Sequence, residues 1–485
     1  MGRRDIRELY IGGEFVPAHS RRSIEVVNPA DGTAIGSIAD SDELDVARAA
    51  EAADMALRTS GWAGLAPGER AGYIRRLADE YEKRGLELAE LVSRENGMPI
   101  TFSTLVHKKR PARYYRYFAD LADQLEAEQL VPTSAGYAIV RREPVGVAGL
   151  IIPWNGPQGL IAWKLGPALA AGCSVVIKPS PETSLDAYIL AEIIDQVGFP
   201  PGLINIVTGG RKTGAAVVDH PLIRKIAFTG SSITGREIAA RAGSMLKPVT
   251  LELGGKSAAI LLEDADLDAF GARVVEVCLP NTGQQCTSCT RLLAPRARYD
   301  EVVDLVTTVL AKVRMGDPAD PASVFGPLVS ARQRERVESY IAAGRQEGAR
   351  LTLGGGRPAG LETGFYVETT VFRDVTNDMQ IAREEIFGPV LSVIPYDGEE
   401  DAIAIANDSA YGLSGAVFSR DLDHATDVAR RLETGTVGVD FFGIPIEVPF
   451  GGYKGSGLGR ELGHQSVDAY LQTKSIYRAG PMPGS

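Results

Sequence analysis

Cysteine is scarce in this chain: there are 4 among 485 residues. That excludes a disulfide framework and fits a reducing compartment, so a cytoplasmic protein is expected. Histidine is nearly as scarce. The five present make neither HExxH nor HxxxH spacing, and Cys286 and Cys289 form a Cys-x-x-Cys with no second pair to complete a zinc site. No metal is expected. Lys+Arg number 51 against Asp+Glu 62, a net charge of −11. A nucleic-acid partner is therefore not expected, because such binding needs basic surface to displace counterions. Long unbroken apolar runs are missing too. The most apolar stretch, 145–178, is interrupted by Pro153, Asn155, Pro157, Lys164 and Pro167, too often for a membrane span. No apolar run follows the N-terminal Met-Gly-Arg-Arg-Asp, so no secretory signal is expected.

What is present is ordinary globular composition, 44% hydrophobic and 23% charged, in a chain long enough for about two or three domains. Short strands are expected at 9–11 and 24–27 around a Gly12-Gly13 turn. Helices follow at 41–57, capped by Ser41, then at 69–96 and 108–128. Strands at 145–152, 174–178, 204–207 and 225–229 then alternate with helices at 160–171, 184–197, 213–219 and 234–242. That rhythm implies a parallel, doubly wound sheet. Segment 249–255 reads as a crossing point into a second alternating region that runs to about 438. No fixed-period repeat or low-complexity linker separates the two.

Several residues carry chemistry. Cys286 lies among small and polar neighbours in Asn281-Thr-Gly-Gln-Gln-Cys-Thr-Ser-Cys-Thr290. Such a thiol can meet a substrate, although a buried, inert cysteine is the commoner case. Glu252 sits between two leucines. Burial would raise its pKa toward that of a general base, and a salt bridge with Lys256 is the structural alternative. Asn155 ends an apolar strand, where its amide can donate to an oxyanion or merely hold a turn. Gly230-Ser-Ser-Ile-Thr-Gly235 leads a strand into a helix, which makes either a phosphate site or a plain tight turn. Lys178 stands at a strand end, placed for ribose hydroxyls or for water. Gly255-Lys256-Ser257 is no P-loop, because Thr250 stands where the first glycine belongs.

Seven motifs then occur in one order. They are Pro153-Trp-Asn155, Lys178-Pro-Ser180, Phe228-Thr-Gly-Ser231, Leu251-Glu-Leu-Gly-Gly-Lys256, Gly283-Gln-Gln-Cys286, Glu384-Glu-Ile-Phe-Gly-Pro389 and the run from Pro449 to Glu461. With them the chain resembles the NAD(P)-dependent aldehyde dehydrogenases of the hydrolytic, non-acylating type over nearly its whole length. The resemblance implies two doubly wound α/β domains, a cofactor domain and a catalytic domain, plus a small β oligomerisation flap. The implied segments are 1–120 with 144–251 for the cofactor, 252–438 for catalysis with 439–465 returning to the active site, and 121–143 with 466–485 for the flap. It implies Cys286 as nucleophile, Asn155 with the Cys286 N–H as oxyanion donors, and Glu252 as the base that activates water. Lys164 and Glu461 match a proton relay behind Glu252, or else a structural ion pair.

The resemblance also implies a cofactor cleft. Ile152, Trp154 and Lys178 would line the adenosine side, with Ile151, Pro153, Ser180 and Pro181 beside them. Gly209, Gly230 and Ser231 would meet the adenine and pyrophosphate, near Phe228, Thr234 and Leu253. Glu385 and Phe387 would position the nicotinamide end. Many NAD-preferring members carry Glu where this chain has Pro181, with Glu182 next door and no arginine in the neighbouring sequence. NAD is expected, with NADP tolerated. Leu160, Trp163, Gln285, Thr287, Phe442 and Phe450 would form an apolar tunnel, widened by Gly156 and Gly159. Aliphatic, terpenoid or aromatic aldehydes are the expected substrates, and a homodimer or homotetramer the expected assembly. Two alternatives are a coenzyme A-acylating relative, which Glu252 argues against, and a non-catalytic protein keeping the fold.

Overall fold

The computed structural model describes residues 2–483; Met1, Gly484 and Ser485, which fall within the expected first and flap segments, lie outside the described residues. An eight-stranded sheet has the order Gly457–Leu458, Val249–Glu252, Ile223–Thr229, Val147–Ile151, Ser174–Lys178, Ile204–Ile206, Glu8–Ile11, Glu14–Pro17. Its five middle strands are parallel and the flanking ones antiparallel. All five middle strands thus end along one edge, where ligands of such sheets bind. Neighbouring residues alternate in burial partners, as a two-residue period demands. Leu150 and Ile177 join one core with Tyr115 and Leu190, whereas Ile151 and Val176 join another with Val46 and Ile238. Each such aliphatic side chain contributes about 1.5–3 kcal/mol by burial.

The helices around this sheet are α1 Glu43–Thr59, α2 Pro67–Asn96, α3 Ile100–His107, α4 Arg110–Asp123, α5 Pro157–Ala171, α6 Leu185–Val197, α7 Arg211–Asp219 and α8 Ser232–Ser244. Two sequence expectations need correction. The cap of α1 is Asp42, not Ser41: Asp42 accepts from Leu44 N–H at 3.0 Å and Asp45 N–H at 3.2 Å, and Asp45 answers to the Asp42 N–H. Ser41 is buried instead, its backbone N–H donating to the Thr208 carbonyl. The expected helix 108–128 is shorter, α4 alone, with Pro111 in its first turn, its end at Asp123 and a strand beginning at Glu128.

A seven-stranded sheet follows in the order Arg350–Leu353, Thr370–Arg373, Val390–Tyr396, Arg291–Pro295, Ala258–Leu261, Ser414–Phe418, Thr436–Val439, parallel except for its first pair. Helix α9, Leu267–Cys278, packs under it through Phe270 and Val274. Glu252, which the sequence reading put at the head of the second segment, ends a strand of the first sheet. Gly457–Leu458, from the returning segment, completes that first sheet by pairing with it. A third, antiparallel sheet joins Glu128–Thr133, Gly136–Pro144 and Leu471–Ala479. Among the described residues no helix is long and apolar enough to cross a membrane.

Candidate active site

Cys286 is placed by a strained turn. After α9 the residues Asn281, Thr282 and Gly283 take φ of 49°, 58° and 73° in succession. Left-handed backbone is costly outside glycine, so the fold must hold it. Thr282 Oγ1 accepts the Gly326 N–H at 3.0 Å, and the Gln284 side-chain oxygen accepts the Val329 N–H at 3.0 Å. A Cβ on Gly283 would lie 2.1 Å from the Gly388 carbonyl oxygen, so only glycine fits there. The turn delivers Cys286 with partial solvent contact, while Cys289 is fully buried in the core under the second sheet. The two are therefore unlike sites. The Asn155 amide donates to the Gln284 carbonyl at 3.2 Å, two residues before the thiol.

Glu252 lies beside this thiol's surroundings with both carboxyl oxygens buried and without a protein partner. Its pKa stands well above the usual carboxylate range, first through burial, then through Glu461, with Lys164 opposing. The alternative salt bridge to Lys256 is not formed, since Lys256 Nζ has no partner of its own. Lys164 donates instead to Glu461 at 2.6 Å and to Thr229 Oγ1 at 2.5 Å. That ion pair is fully enclosed, with side chains 0% and 4% exposed. Burial, then Glu385 and Glu252, pushes the Cys286 thiol up to about 12.

Ile152, Lys178 and Gly230 stand at the ends of three parallel strands of the first sheet. Lys178 is buried and donates to the carbonyls of Pro179 at 2.6 Å and Gly209 at 2.8 Å; burial brings it down to about 8. The Ile152 N–H bonds the Lys178 carbonyl, fixing Ile151 to Trp154 beside it. Ser231 caps α8, its Oγ accepting the Thr234 N–H at 3.3 Å, and Gly230 N–H is held by the Glu252 carbonyl. Gly230 packs on the Phe228 ring and Gly235 on Leu253. From the other side, Glu385 accepts the Gly255 N–H at 3.0 Å and burial raises it to about 7. Phe387, at φ 64°, sets its ring 5.3 Å edge-on from Trp154.

Residues 15–476 match the Aldehyde dehydrogenase family. The chain belongs to that family. A geranial dehydrogenase from Castellaniella defragrans is 49% identical over 477 residues, covering 98% of this chain and 99% of that protein. A Mycobacterium tuberculosis aldehyde dehydrogenase complexed with NAD+ matches at TM-score 0.97 and 46% identity over 100% of both chains. Aldehyde dehydrogenase C of Pseudomonas syringae, a cysteine-to-alanine mutant complexed with NAD+ and octanal, matches at TM-score 0.94 and 41% identity, covering 97% of this chain and 96% of its own. The expected family and the expected α/β fold class are both correct.

In this aldehyde dehydrogenase Trp163, Phe450 and Leu160 pack in one apolar cluster with Cys286. The Trp163 ring lies 5.4 Å from Phe450 and 5.9 Å from Tyr114. Phe450 and Glu461 exchange backbone hydrogen bonds at 2.7 and 2.8 Å, so the apolar wall and the buried ion pair share one anchor. Gln285 is half-buried beside the thiol and Thr287 is buried after it. Phe442 falls elsewhere. Asp440 takes φ 58°, the chain turns, and Phe442 packs on the core under the second sheet. Ile444 takes a place in the Cys286 cluster instead.

Sequence reasoning missed Tyr114 and Tyr117 of α4, which pack on that same cluster. The run Arg113-Tyr-Tyr-Arg-Tyr-Phe118 was the signal. It also missed Gln333, whose side chain holds the Phe387 carbonyl at 2.9 Å, and Arg336, which holds that of Glu385 at 2.6 Å. The expectation of no arginine near Glu182 fails in three dimensions: Arg332 reaches Glu182 at 3.5 Å. Pro181 opens the short turn that carries Glu182, and Ser180 Oγ donates to Glu182 at 2.5 Å.

Proposed function

We propose that this chain oxidises an apolar aldehyde, of terpenoid or medium aliphatic size, to its carboxylic acid with NAD, through a covalent bond to Cys286. The observation that carries this reading is the meeting of Cys286, the Asn155 amide and an unpaired, buried Glu252 at the edge of an apolar cluster. The residues at the ends of the first sheet's parallel strands fit the cofactor. The N-terminus of α8, capped by Ser231 and preceded by Gly230, suits a pyrophosphate. The buried Lys178 and Ser180 suit ribose hydroxyls, and Trp154, Glu385 and Phe387 suit the nicotinamide end. When bound, NAD supplies the two-electron acceptor that takes the hydride.

Cys286 loses its proton, and its sulfur bonds the aldehyde carbon. The Asn155 amide and the Cys286 N–H hold the oxyanion that forms, a contact worth about 3 kcal/mol per donor in comparable sites. Once the carbon is oxidised, a thioester to Cys286 remains. Glu252 takes a proton from water, water attacks the thioester, and the acid leaves as the thiol is restored. The Lys164–Glu461 pair lies behind Glu252 and serves as its proton relay. The apolar wall of Trp163, Phe450 and Leu160 supports the substrate class, as do the geranial dehydrogenase and the octanal-bound relative. The edge strand Leu471–Ala479, paired on one side by Gly136–Pro144 and exposed along nearly its whole length, supports assembly into a homodimer or homotetramer. The four free cysteines support a cytoplasmic location.

Cys286→Ala tests the reading. Aldehyde oxidation should vanish while NAD affinity persists, and Cys289→Ala should cost far less. Turnover of Cys286→Ala within about tenfold of the parent would remove the nucleophile assignment.

A further inference from the structure

The last turn of α2 carries a buried amide that the reaction above does not use. Asn96 is the final residue of that helix and is fully buried. The helix stops there because Gly97 takes φ 82°, a left-handed cap whose N–H bonds the Ser93 carbonyl. The Ser93 hydroxyl donates to the Met98 carbonyl at 2.7 Å, so the chain beyond the cap is fixed as well. From this corner the Asn96 amide donates to the Trp154 carbonyl at 2.9 Å. That carbonyl belongs to the residue before Asn155. The Thr183 hydroxyl also donates to it, but from 3.5 Å. The Asn96 side-chain oxygen is buried without a partner. An amide with one end unpaired is costly to bury, and an apolar side chain of similar size avoids that cost. Stability alone does not account for an amide here; the bond to Trp154 does.

Gly97 seats the same corner on the other half of the site. A Cβ on Gly97 would lie 2.7 Å from Pro327 Cγ, and one on Gly326 would lie 2.1 Å from the Gly97 carbonyl oxygen. The two stretches therefore touch with no room for a side chain. Gly326 donates its N–H to Thr282 Oγ1 at 3.0 Å, and the Pro327 carbonyl accepts the Gln284 amide at 3.4 Å. Both contacts hold the strained turn that delivers Cys286. The Gln284 carbonyl in turn accepts the Asn155 amide at 3.2 Å. The contacts close a ring through Asn96, Trp154, Asn155, Gln284, Pro327 and Gly97.

We propose that Asn96 is a positioning residue for the Asn155 amide, and that the corner Asn96–Gly97 sets the place of that amide relative to the Cys286 turn. The proposal rests on the reading of Asn155 as oxyanion donor. Asn155 and the Cys286 N–H come from distant stretches of chain, so packing and not covalent geometry fixes their separation. The α2 corner touches both stretches, Trp154 through the Asn96 amide and the support of the Cys286 turn through Gly97. An oxyanion gains from both donors only when they converge on one oxygen, and a misplacement of about 1 Å costs about a hundredfold in rate. Without the Asn96 amide the Trp154 carbonyl keeps only the long Thr183 contact, and the turn that carries Asn155 loses its tie to the corner.

The test uses the full-length enzyme with NAD and octanal. Asn96→Leu keeps the bulk and removes the donor. It should lower kcat/KM for octanal about tenfold or more while NAD affinity stays within about twofold, because a misplaced oxyanion donor costs transition-state binding. A general loosening of the fold also slows an enzyme, so a double-variant cycle with Asn155→Ala decides between the two. Asn155→Ala alone should lose about 10²–10³ in turnover, which leaves a measurable rate. If Asn96 acts through Asn155, adding Asn96→Leu to Asn155→Ala should cost less than about twofold more. The full tenfold loss in that background overturns the proposal, as does a folded Asn96→Leu with parental kcat/KM. Should the leucine variant fail to fold, Asn96→Ala takes its place in the same cycle and is read by the same two outcomes. Asn155→Ala with parental turnover would instead overturn the oxyanion reading, whatever the Asn96 variants show.

Discussion

Removing Arg332 should turn this enzyme further against NADP. Glu182, with its side chain 23% exposed, is bonded by Ser180 and lies 3.5 Å from an Arg332 guanidinium that is 86% exposed. In the proposed mode of binding this carboxylate would face the ribose hydroxyl that carries an extra phosphate in NADP, a group with a charge of about −1.5 to −2. Arg332 offsets the repulsion while it is present. Unit charges at 4 Å interact by about 1 kcal/mol in water and about 4 kcal/mol near a drier surface. The exposure of Arg332 puts its effect toward the wet limit, about 1–2 kcal/mol, or roughly five- to thirtyfold. The assay is kcat/KM for NAD and for NADP with octanal, in parent and Arg332→Ala. The parent should prefer NAD with measurable NADP use. The variant should lose NADP activity by that factor with the NAD value within about twofold, and the gap should shrink at high salt. Pro181→Glu adds a second carboxylate and should widen the preference by about ten- to a hundredfold. A parent that already rejects NADP by more than about 10⁴-fold, or an Arg332→Ala ratio unchanged within about twofold, refutes this account.

Glu252→Gln should still form the thioester and release it slowly, giving a burst of NADH and a weak steady rate; no burst would place Glu252 in an earlier step. Parental turnover should rise with pH, because burial holds both the Glu252 carboxyl and the Cys286 thiol protonated and each must lose its proton to act. A rate that falls steadily from neutral toward alkaline pH would contradict that sign. Lys164→Met strands Glu461 as a buried charge and should cost about 3–5 kcal/mol in urea unfolding. Lys164 also holds the Glu252 pKa down, so the variant's pH–rate curve should move to the alkaline side. Stability unchanged within about 1 kcal/mol would show the pair to be dispensable.

Much of the fold was legible because its signals are local. The strand Ser174–Lys178 is built on the apolar run Val175–Ile177, and the parallel alternation around it follows from period alone. Boundaries were less legible where two residues compete for one role. Ser41 and Asp42 are both good caps, and the choice fell to Asp42 because Asp45 could answer it while Ser41 was drawn to Thr208. The candidate nucleophile and base were visible as a polar-flanked cysteine and a carboxylate between leucines. Phe442 packs on the core under the second sheet rather than in the Cys286 cluster, a contact that depends on long-range packing and is not written in its neighbours.

The sequence by itself determined the family and the alternation of strands and helices, and it singled out Cys286, Glu252 and Asn155 as candidates. Those are properties of order and spacing, which a chain carries unfolded. Only tertiary structure decided which charges are paired. Lys256 stands next in line to Glu252 yet leaves it free, whereas Lys164 and Glu461, far apart in sequence, lock at 2.6 Å. Arg332 reaches Glu182 across a shorter but still long gap in the chain. Electrostatic contact falls with distance through space and rises as water is removed, and neither quantity is written along the chain.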